Sequence, residues 1–160
     1  MKLLDFVFPD SMDKVFVLLG AFFGSLVQFA FGEWTAGLTW LVCFSIGDWA
    51  TGTLAAFMTG QLNSDAGMKG IFRKIIMFAF VSLAHGLDIT LTDLGADLFS
   101  FMSLTVTALA VNETVSIVEN FDRAGFGGFV PPVIRRGLKT IREAADRKLQ
   151  VSQPAQPKGA

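Results

Sequence analysis

Charged residues are rare between residues 15 and 72, and this restricts the fold more than any other feature. Between Lys14 and Arg73 the only charged residues are Glu33, Asp48, Asp65 and Lys69. Over all 160 residues 17% are charged and 52% are hydrophobic, whereas a typical soluble domain has roughly 25% charged residues. Each helix of a soluble bundle needs a polar face, which these runs do not have. The sequence therefore predicts one domain embedded in a membrane.

Four apolar runs are long enough to cross a bilayer, at residues 15–32, 35–59, 71–89 and 98–118. About 20 residues of helix span a hydrocarbon core of about 30 Å. We therefore predict an all-α membrane protein with about four transmembrane helices, or three if the first or last run lies on the surface. The predicted parts are a transmembrane domain at 1–123, a basic amphipathic cytoplasmic or interfacial segment at 124–150, and a disordered tail at 151–160.

The loops predict the orientation of the spans. Residues 61–70 contain turn-forming residues and two glycines, so we expect a loop there. The cations Lys69, Arg73 and Lys74 cluster beside it, whereas residues 88–97 are acidic. Because cytoplasmic loops of membrane proteins carry an excess of Lys and Arg, both termini are expected in the cytoplasm.

The C-terminal segment has the pattern of a basic amphipathic helix. A link at 126–128, expected to be flexible, precedes a helix start at Pro131 and Pro132. Apolar residues then recur at helical spacing, and cations flank them: Arg135, Arg136, Lys139 and Arg142. Such a helix is suited to the surface of an anionic inner leaflet.

The first run carries a row of small residues at helical spacing. Gly20 and Gly24 form a GxxxG motif, and Gln28 continues the same row. Small residues let two helices approach closely, and a Gln there can hydrogen-bond across the contact. The row is explained equally by association of two copies and by packing within one copy.

Asp48 interrupts the second run near its centre. A charge at the centre of a transmembrane helix costs about 2.5–3.5 kcal/mol on insertion scales, so it should face protein or water. Thr51 and Gly52 follow on a small, close-packing face. Asp48 either takes part in assembly or forms a structural hydrogen bond to Thr51 or to a neighbouring helix.

The third run ends with two titratable residues at a spacing of i, i+3, His85 and Asp88. This spacing places both side chains on one helix face. They either form a proton-sensing pair or belong to a solvated helix end, and the second interpretation is favoured because both lie near the predicted surface.

The fourth run is apolar at first and then carries polar residues at helical spacing: Asn112, Glu113, Ser116, Glu119 and Asn120. They indicate either a helix that turns a polar face toward water inside the membrane or a helix that emerges into the cytoplasm.

Enzyme chemistry has no support in the sequence. Cys43 and His85 are the only cysteine and histidine, and they lie on different runs, so they do not make a zinc site of the usual ligand number. We expect no catalytic residue, cofactor, metal or nucleic-acid partner.

Four short motifs in order carry a resemblance to a known family. They are Asp48-Trp-Ala-Thr-Gly52, Ser64-x-x-Gly-x-x-Gly-x-x-Arg-Lys74, His85-x-x-Asp88 and Glu113-x-x-Ser-Ile-x-Glu-Asn120. Over residues 38–142 the chain resembles the toxin-secretion/phage-lysis holin family. The departures are modest; Trp49 stands where the family usually has Tyr.

The resemblance implies a small, non-enzymatic phage protein of the host cytoplasmic membrane. Such proteins oligomerise and open timed pores or lesions that release an endolysin for host cell lysis, and some relatives are proposed to assist toxin export. A small transporter or channel subunit that uses Asp48, His85 and Glu113 is the alternative from another functional class.

Overall fold

The computed structural model describes residues 11–96 and 99–151, without the side chains of residues 11, 12, 66, 142 and 144–151. Five α-helices cover most of these ranges: α1 Ser11–Phe31, α2 Ala36–Met58, α3 Ser64–Asp93, α4 Phe101–Arg123 and α5 Pro132–Val151. A short 3-10 turn, Gly127–Phe129, precedes α5. Within the described ranges there is no strand. The predicted all-α fold is confirmed.

Four of the described helices are long and apolar enough to cross a membrane, at Asp13–Phe31, Ala36–Met58, Gly67–Asp93 and Phe101–Arg123. Each contains an 18-residue window with a mean hydropathy between 1.4 and 1.8. The chain is thus a multi-pass membrane protein with four candidate spans. The predicted disordered tail, apart from Val151, lies outside the described residues.

The loop predicted at residues 61–70 is wrong over most of its length, because α3 begins at Ser64. The Asn63 side chain accepts a hydrogen bond from the amide of Asp65 at 2.9 Å, which caps the new helix early. Gly67 and Gly70 are helical; a glycine costs about 1 kcal/mol against Ala in a helix interior. The turn itself depends on Gly60, whose φ of +66° ends α2.

The described chain divides into two compact units. One contains residues up to Trp40 together with Arg73–Thr107, and the other contains Leu41–Phe72 together with residues from Ala108 onward. Few side chains are buried in either. They are Leu38, Met77, Val81 and Val106 in the first unit, and Leu41, Ser45, Ala55, Glu113 and Ala124 in the second. Most large apolar side chains are exposed, as expected where lipid is the surrounding medium.

Candidate functional site

A polar cluster joins α2 to α4 within the second unit. Asn120 on α4 donates its Nδ2 hydrogens to the Asp48 carboxylate at 3.0 Å and to the Asp48 carbonyl oxygen at 3.1 Å. The same nitrogen lies 3.2 Å from the Thr51 hydroxyl. We call Asp48, Thr51, Asn120 and Arg123 the polar clamp.

Arg123 completes the clamp from the next turn of α4. Its guanidinium donates to the side-chain oxygen of Asn120 at 3.1 Å and to the carbonyl of Gly52 at 3.3 Å. Both ends of the Asn120 amide are therefore occupied, as required for a polar group in a low-dielectric interior.

Glycines on α2 make this close contact possible. A Cβ atom added at Gly47 would lie 3.2 Å from Ile117 Cδ1, and one added at Gly52 would lie 3.3 Å from Asn120 Nδ2. Partners on α4 advance as positions on α2 advance, so the two helices run parallel here. Small residues at such contacts are typical of transmembrane helix pairs, where close backbone approach supplies the van der Waals packing.

The clamp confirms that Asp48 faces protein. Of the two sequence-based interpretations of Asp48, the structural hydrogen bond to a neighbouring helix is the one observed. Thr51 also donates to the Asp48 carbonyl at 3.1 Å. A role for Asp48 in assembly stays a prediction.

The polar residues of α4 do not share one environment. Glu113 is only 1% exposed and Asn120 and Ser116 are half-buried, whereas Asn112 and Glu119 are exposed. Adjacent helix positions point about 100° apart, while residues seven apart return to the same side. Glu113 and Asn120 therefore face protein together, and a water-lining role for the whole set stays a prediction.

Sequence reasoning missed Ser45, whose hydroxyl is buried with no hydrogen-bond partner among the described residues. Ser45 is 6% exposed. It also missed Gly47, Ile117 and Arg123 as members of the α2–α4 contact. A usable signal was the spacing of Leu41, Ser45, Asp48, Gly52 and Ala55, which alternates between four and three residues as the packed stripe of a helix does.

Asp88 caps the N-terminus of α4 within the first unit. Its carboxylate accepts hydrogen bonds from the amides of Phe101 at 2.6 Å and Met102 at 3.0 Å, and from the Ser100 hydroxyl at 2.8 Å. The first amides of a helix have no partner inside the helix and carry its positive dipole end, so a carboxylate there is stabilising.

His85 contacts a different part of the chain, the turn between α1 and α2. A Cβ added at Gly32 would lie 2.5 Å from His85 Cε1, so the imidazole rests against the Gly32 backbone. Both side chains are half-buried, and Asp88 bonds Ser100 and two amides of α4's first turn; the expected solvated helix end stays a prediction. Proton sensing by the pair is untested.

Within the described residues, Gly20 and Gly24 of α1 have no close neighbour from another helix. A Cβ added at Gly20 or Gly24 would meet nothing within 4 Å, and Gln28 is exposed beside them. The described structure thus does not show the intramolecular packing that was one explanation of this row. Packing appears at the far end of α1, where the Phe31 and Phe78 rings meet edge to face at 6.3 Å.

An ion pair joins the end of α4 to the start of α5. Arg135 binds the Asp122 carboxylate through both terminal nitrogens, one of them at 2.8 Å, and also binds the Gly127 carbonyl. The predicted flexible link at 126–128 is therefore corrected to a structured turn, held by a bidentate charge-assisted contact.

The basic residues differ in what they contact. Arg135 is engaged in the turn, and Lys139 lies 3.8 Å from Glu143. Lys69, Arg73 and Arg136 are exposed and Lys74 is half-buried, while the Arg142 side chain lies outside the described residues. Within the described residues no group of three or more His, Cys, Asp or Glu could hold a metal ion.

The sequence profile of the bacteriophage holin family matches residues 25–143. The chain belongs to the bacteriophage holin family. The family resemblance based on the four motifs is confirmed, and the matched range includes the polar clamp and the Asp88 cap. Gly20 and Gly24 of α1 lie before it.

Individual relatives cover most of the same range. An uncharacterized protein of Halalkalibacterium halodurans is 34% identical over 133 residues, which is 82% of this chain and 96% of the relative. An uncharacterized protein of Listeria monocytogenes is 36% identical over 124 residues, 75% of this chain and 80% of the relative. A probable holin of Bacillus phage phi105 is 32% identical over 122 residues, 76% of this chain and 85% of the relative. No solved structure gives a significant match.

Proposed function

We propose that this holin-family protein inserts into the cytoplasmic membrane of a bacterial host, associates with copies of itself, and opens timed lesions through which an endolysin reaches the cell wall. Family membership and four candidate spans support a holin-like membrane protein. The observation that carries the assembly step is the exposure of α1, whose apolar window is 0% buried.

The exposed face of α1 has the chemistry of a helix–helix contact rather than of a surface made only for lipid. A Cβ at Gly20 or Gly24 would meet none of the described atoms within 4 Å, and Gln28 places an exposed amide on the same row. Lipid tails offer an amide no hydrogen bond, whereas a second helix does; such bonds contribute about 0.6 kcal/mol on average in membranes. We infer that a second α1 covers this row in the assembled state.

The clamp supports separate roles for the helices. In this proposal α2 and α4 stay packed together within one copy, and α1 supplies the contact between copies. α2 and α4 run parallel in the second unit, so α3, which connects them in sequence, is expected to cross the membrane in the opposite direction. This supports the proposed topology, in which the ends of α2 and α4, the cations at the start of α3, and both termini lie on the cytoplasmic side.

Expression in a bacterium together with its endolysin tests the proposal. The wild-type protein should collapse the membrane potential abruptly after a lag and release a large cytosolic enzyme. The double variant Gly20→Leu, Gly24→Leu should delay or abolish both events with unchanged insertion, since neither substitution clashes within one copy.

Ser25→Leu is the matched control. It adds a leucine of the same size at the position after Gly24, where the side chain points about 100° away from the glycine row. Cells that express this variant should lyse at nearly the same time as cells that express the wild-type protein. Cells that stay energised at high expression of the wild-type protein would overturn the proposal. Selective ion flux without passage of protein would instead identify a channel.

A further inference from the structure

Among the described residues two polar side chains are buried, Ser45 on α2 and Glu113 on α4, at 6% and 1% exposed. Both belong to the second unit. The Ser45 hydroxyl has no hydrogen-bond partner among those residues. Burial of a hydroxyl without a hydrogen bond is unfavourable, so such a group in a folded protein calls for a partner.

The hydroxyl of Ser45 is not satisfied by its own helix, unlike those of the threonines on α2. Thr51, Thr53 and Thr59 each donate to the carbonyl oxygen four residues earlier at 2.8 Å. A helical serine can form the same bond, but Ser45 does not. Its hydroxyl is therefore directed toward something other than the α2 backbone.

The register of α2 on α4 places Ser45 beside Glu113. A Cβ added at Gly52 would lie 3.3 Å from Asn120 Nδ2, and Ser45 and Glu113 each lie seven residues before these two positions. Seven residues are about two helical turns and return to the same helix face. A Cβ at Gly47, between the two levels, would also contact α4. Because the helices run parallel and stay in contact, the two buried polar side chains lie at one level.

We propose that a water molecule is bound between α2 and α4 and joins the Ser45 hydroxyl to the Glu113 carboxyl group. The hydroxyl donates to the water oxygen, and the water donates to a carboxyl oxygen. Buried waters typically make about three hydrogen bonds to polar groups that otherwise lack a partner. The two carboxyl oxygens together have about four lone-pair sites, so the water adds to the other contacts of Glu113 and does not replace them.

Water-edited solid-state NMR of the full-length protein in lipid bilayers tests the site independently of lysis. The experiment follows how soon magnetisation from water protons reaches each assigned side chain. Leu38 and Ala55 are buried on the same helix at 1% and 0% exposed and serve as dry references. Transfer to Ser45 and Glu113 should be clearly earlier than transfer to these two residues, although all four are buried.

Three variants show whether Ser45 holds the water. Ser45→Val removes the hydroxyl and fills the space of the water, so the early transfer to Glu113 should be lost. Ser45→Ala removes the hydroxyl without added bulk and should reduce this transfer, which decides the case if the valine variant does not fold. Thr53→Val is the matched control, because it removes a hydroxyl at an exposed position of α2 and should leave the transfer unchanged. Equal Asn120 chemical shifts in all variants would show that the clamp is intact.

Two results would overturn the proposal. The first is wild-type transfer to Ser45 and Glu113 as slow as transfer to the dry references, which would mean that α2 and α4 pack without water at this level. The second is early transfer to Glu113 that is unchanged in the Ser45 variants, which would mean that water reaches Glu113 without Ser45.

Discussion

Asn120 on α4 holds Asp48 on α2 through one amide nitrogen, which lies 3.0 Å from the carboxylate and 3.1 Å from the carbonyl oxygen of the same residue. The two side chains thus link α2 to α4 at this level. We therefore expect substitutions of the two residues to have non-additive effects on the free energy of unfolding.

The first prediction concerns this coupling. Asp48→Ala should insert as well as wild type or better, since it removes a charge from the centre of a span, yet it should alter the time of lysis onset. In a double-mutant cycle with Asn120→Ala, unfolding in mixed micelles should give a coupling free energy of about 0.6–1.7 kcal/mol, the range for hydrogen bonds in membrane proteins. Asn112→Ala, at an exposed position on α4, is the control. If the losses in the free energy of unfolding are additive, the contact between the two side chains does not contribute to stability.

The second prediction tests the close approach of α2 and α4. Gly52→Leu places a side chain where a Cβ alone is already 3.3 Å from Asn120 Nδ2, so it should force the helices apart and cost about 1–3 kcal/mol. Gly86→Leu on α3 is the matched control, because a Cβ there meets nothing within 4 Å. The control should be neutral or stabilising by up to about 1 kcal/mol, through helix propensity alone. Equal effects of the two substitutions would contradict the packing seen here.

The third prediction concerns the Asp88 cap. Asp88→Ala leaves the amides of Phe101 and Met102 without their acceptor, which should cost about 0.5–2 kcal/mol, the range for loss of a helix cap. Hydrogen exchange should speed up at residues 101–103 and not in the middle of α4. Asp93→Ala removes an exposed carboxylate from the last position of α3 and should leave those amides protected. Unchanged exchange in Asp88→Ala would mean that Ser100 is a sufficient cap.

The fourth prediction concerns the turn at Gly32. This residue has a φ of +64°, and a Cβ on it would lie 2.5 Å from the His85 ring. Gly32→Ala should therefore lower stability by the left-handed penalty of about 1–2 kcal/mol and by an additional clash. Adding His85→Ala should relieve the clash and leave the backbone penalty, so that the double variant is more stable than the single Gly32→Ala variant. A double variant that is less stable would show that the ring supports the turn.

Local patterns were sufficient to predict most of the helices, since length and apolar composition decide whether a segment crosses a membrane. The start of α3 was placed too late because the two glycines at 67 and 70 suggested a loop, while the cap at Asn63 outweighed them. The polar clamp could not be predicted from local patterns. Asp48 and Asn120 are 72 residues apart, and only the packing of α2 on α4 brings them together.

The sequence thus predicted correctly that Asp48 faces protein, but it did not predict its partner. The cost of a membrane charge predicts that Asp48 needs a protein partner, and it does not say which one. Asp88 shows the same limit: its spacing from His85 suggested a pair, but its carboxylate bonds amides 13 and 14 residues further along the chain.

The separation of the clamp residues has a consequence for synthesis of the chain. The ribosome adds about 5–20 residues per second, so Asp48 is made about 4–14 seconds before Asn120, which lies 72 residues later. The hydrogen bonds between these two side chains therefore form only after α3 and most of α4 have been made. A chain that ends before residue 120 lacks this link, so we expect its α2 to be held less firmly than in the full chain.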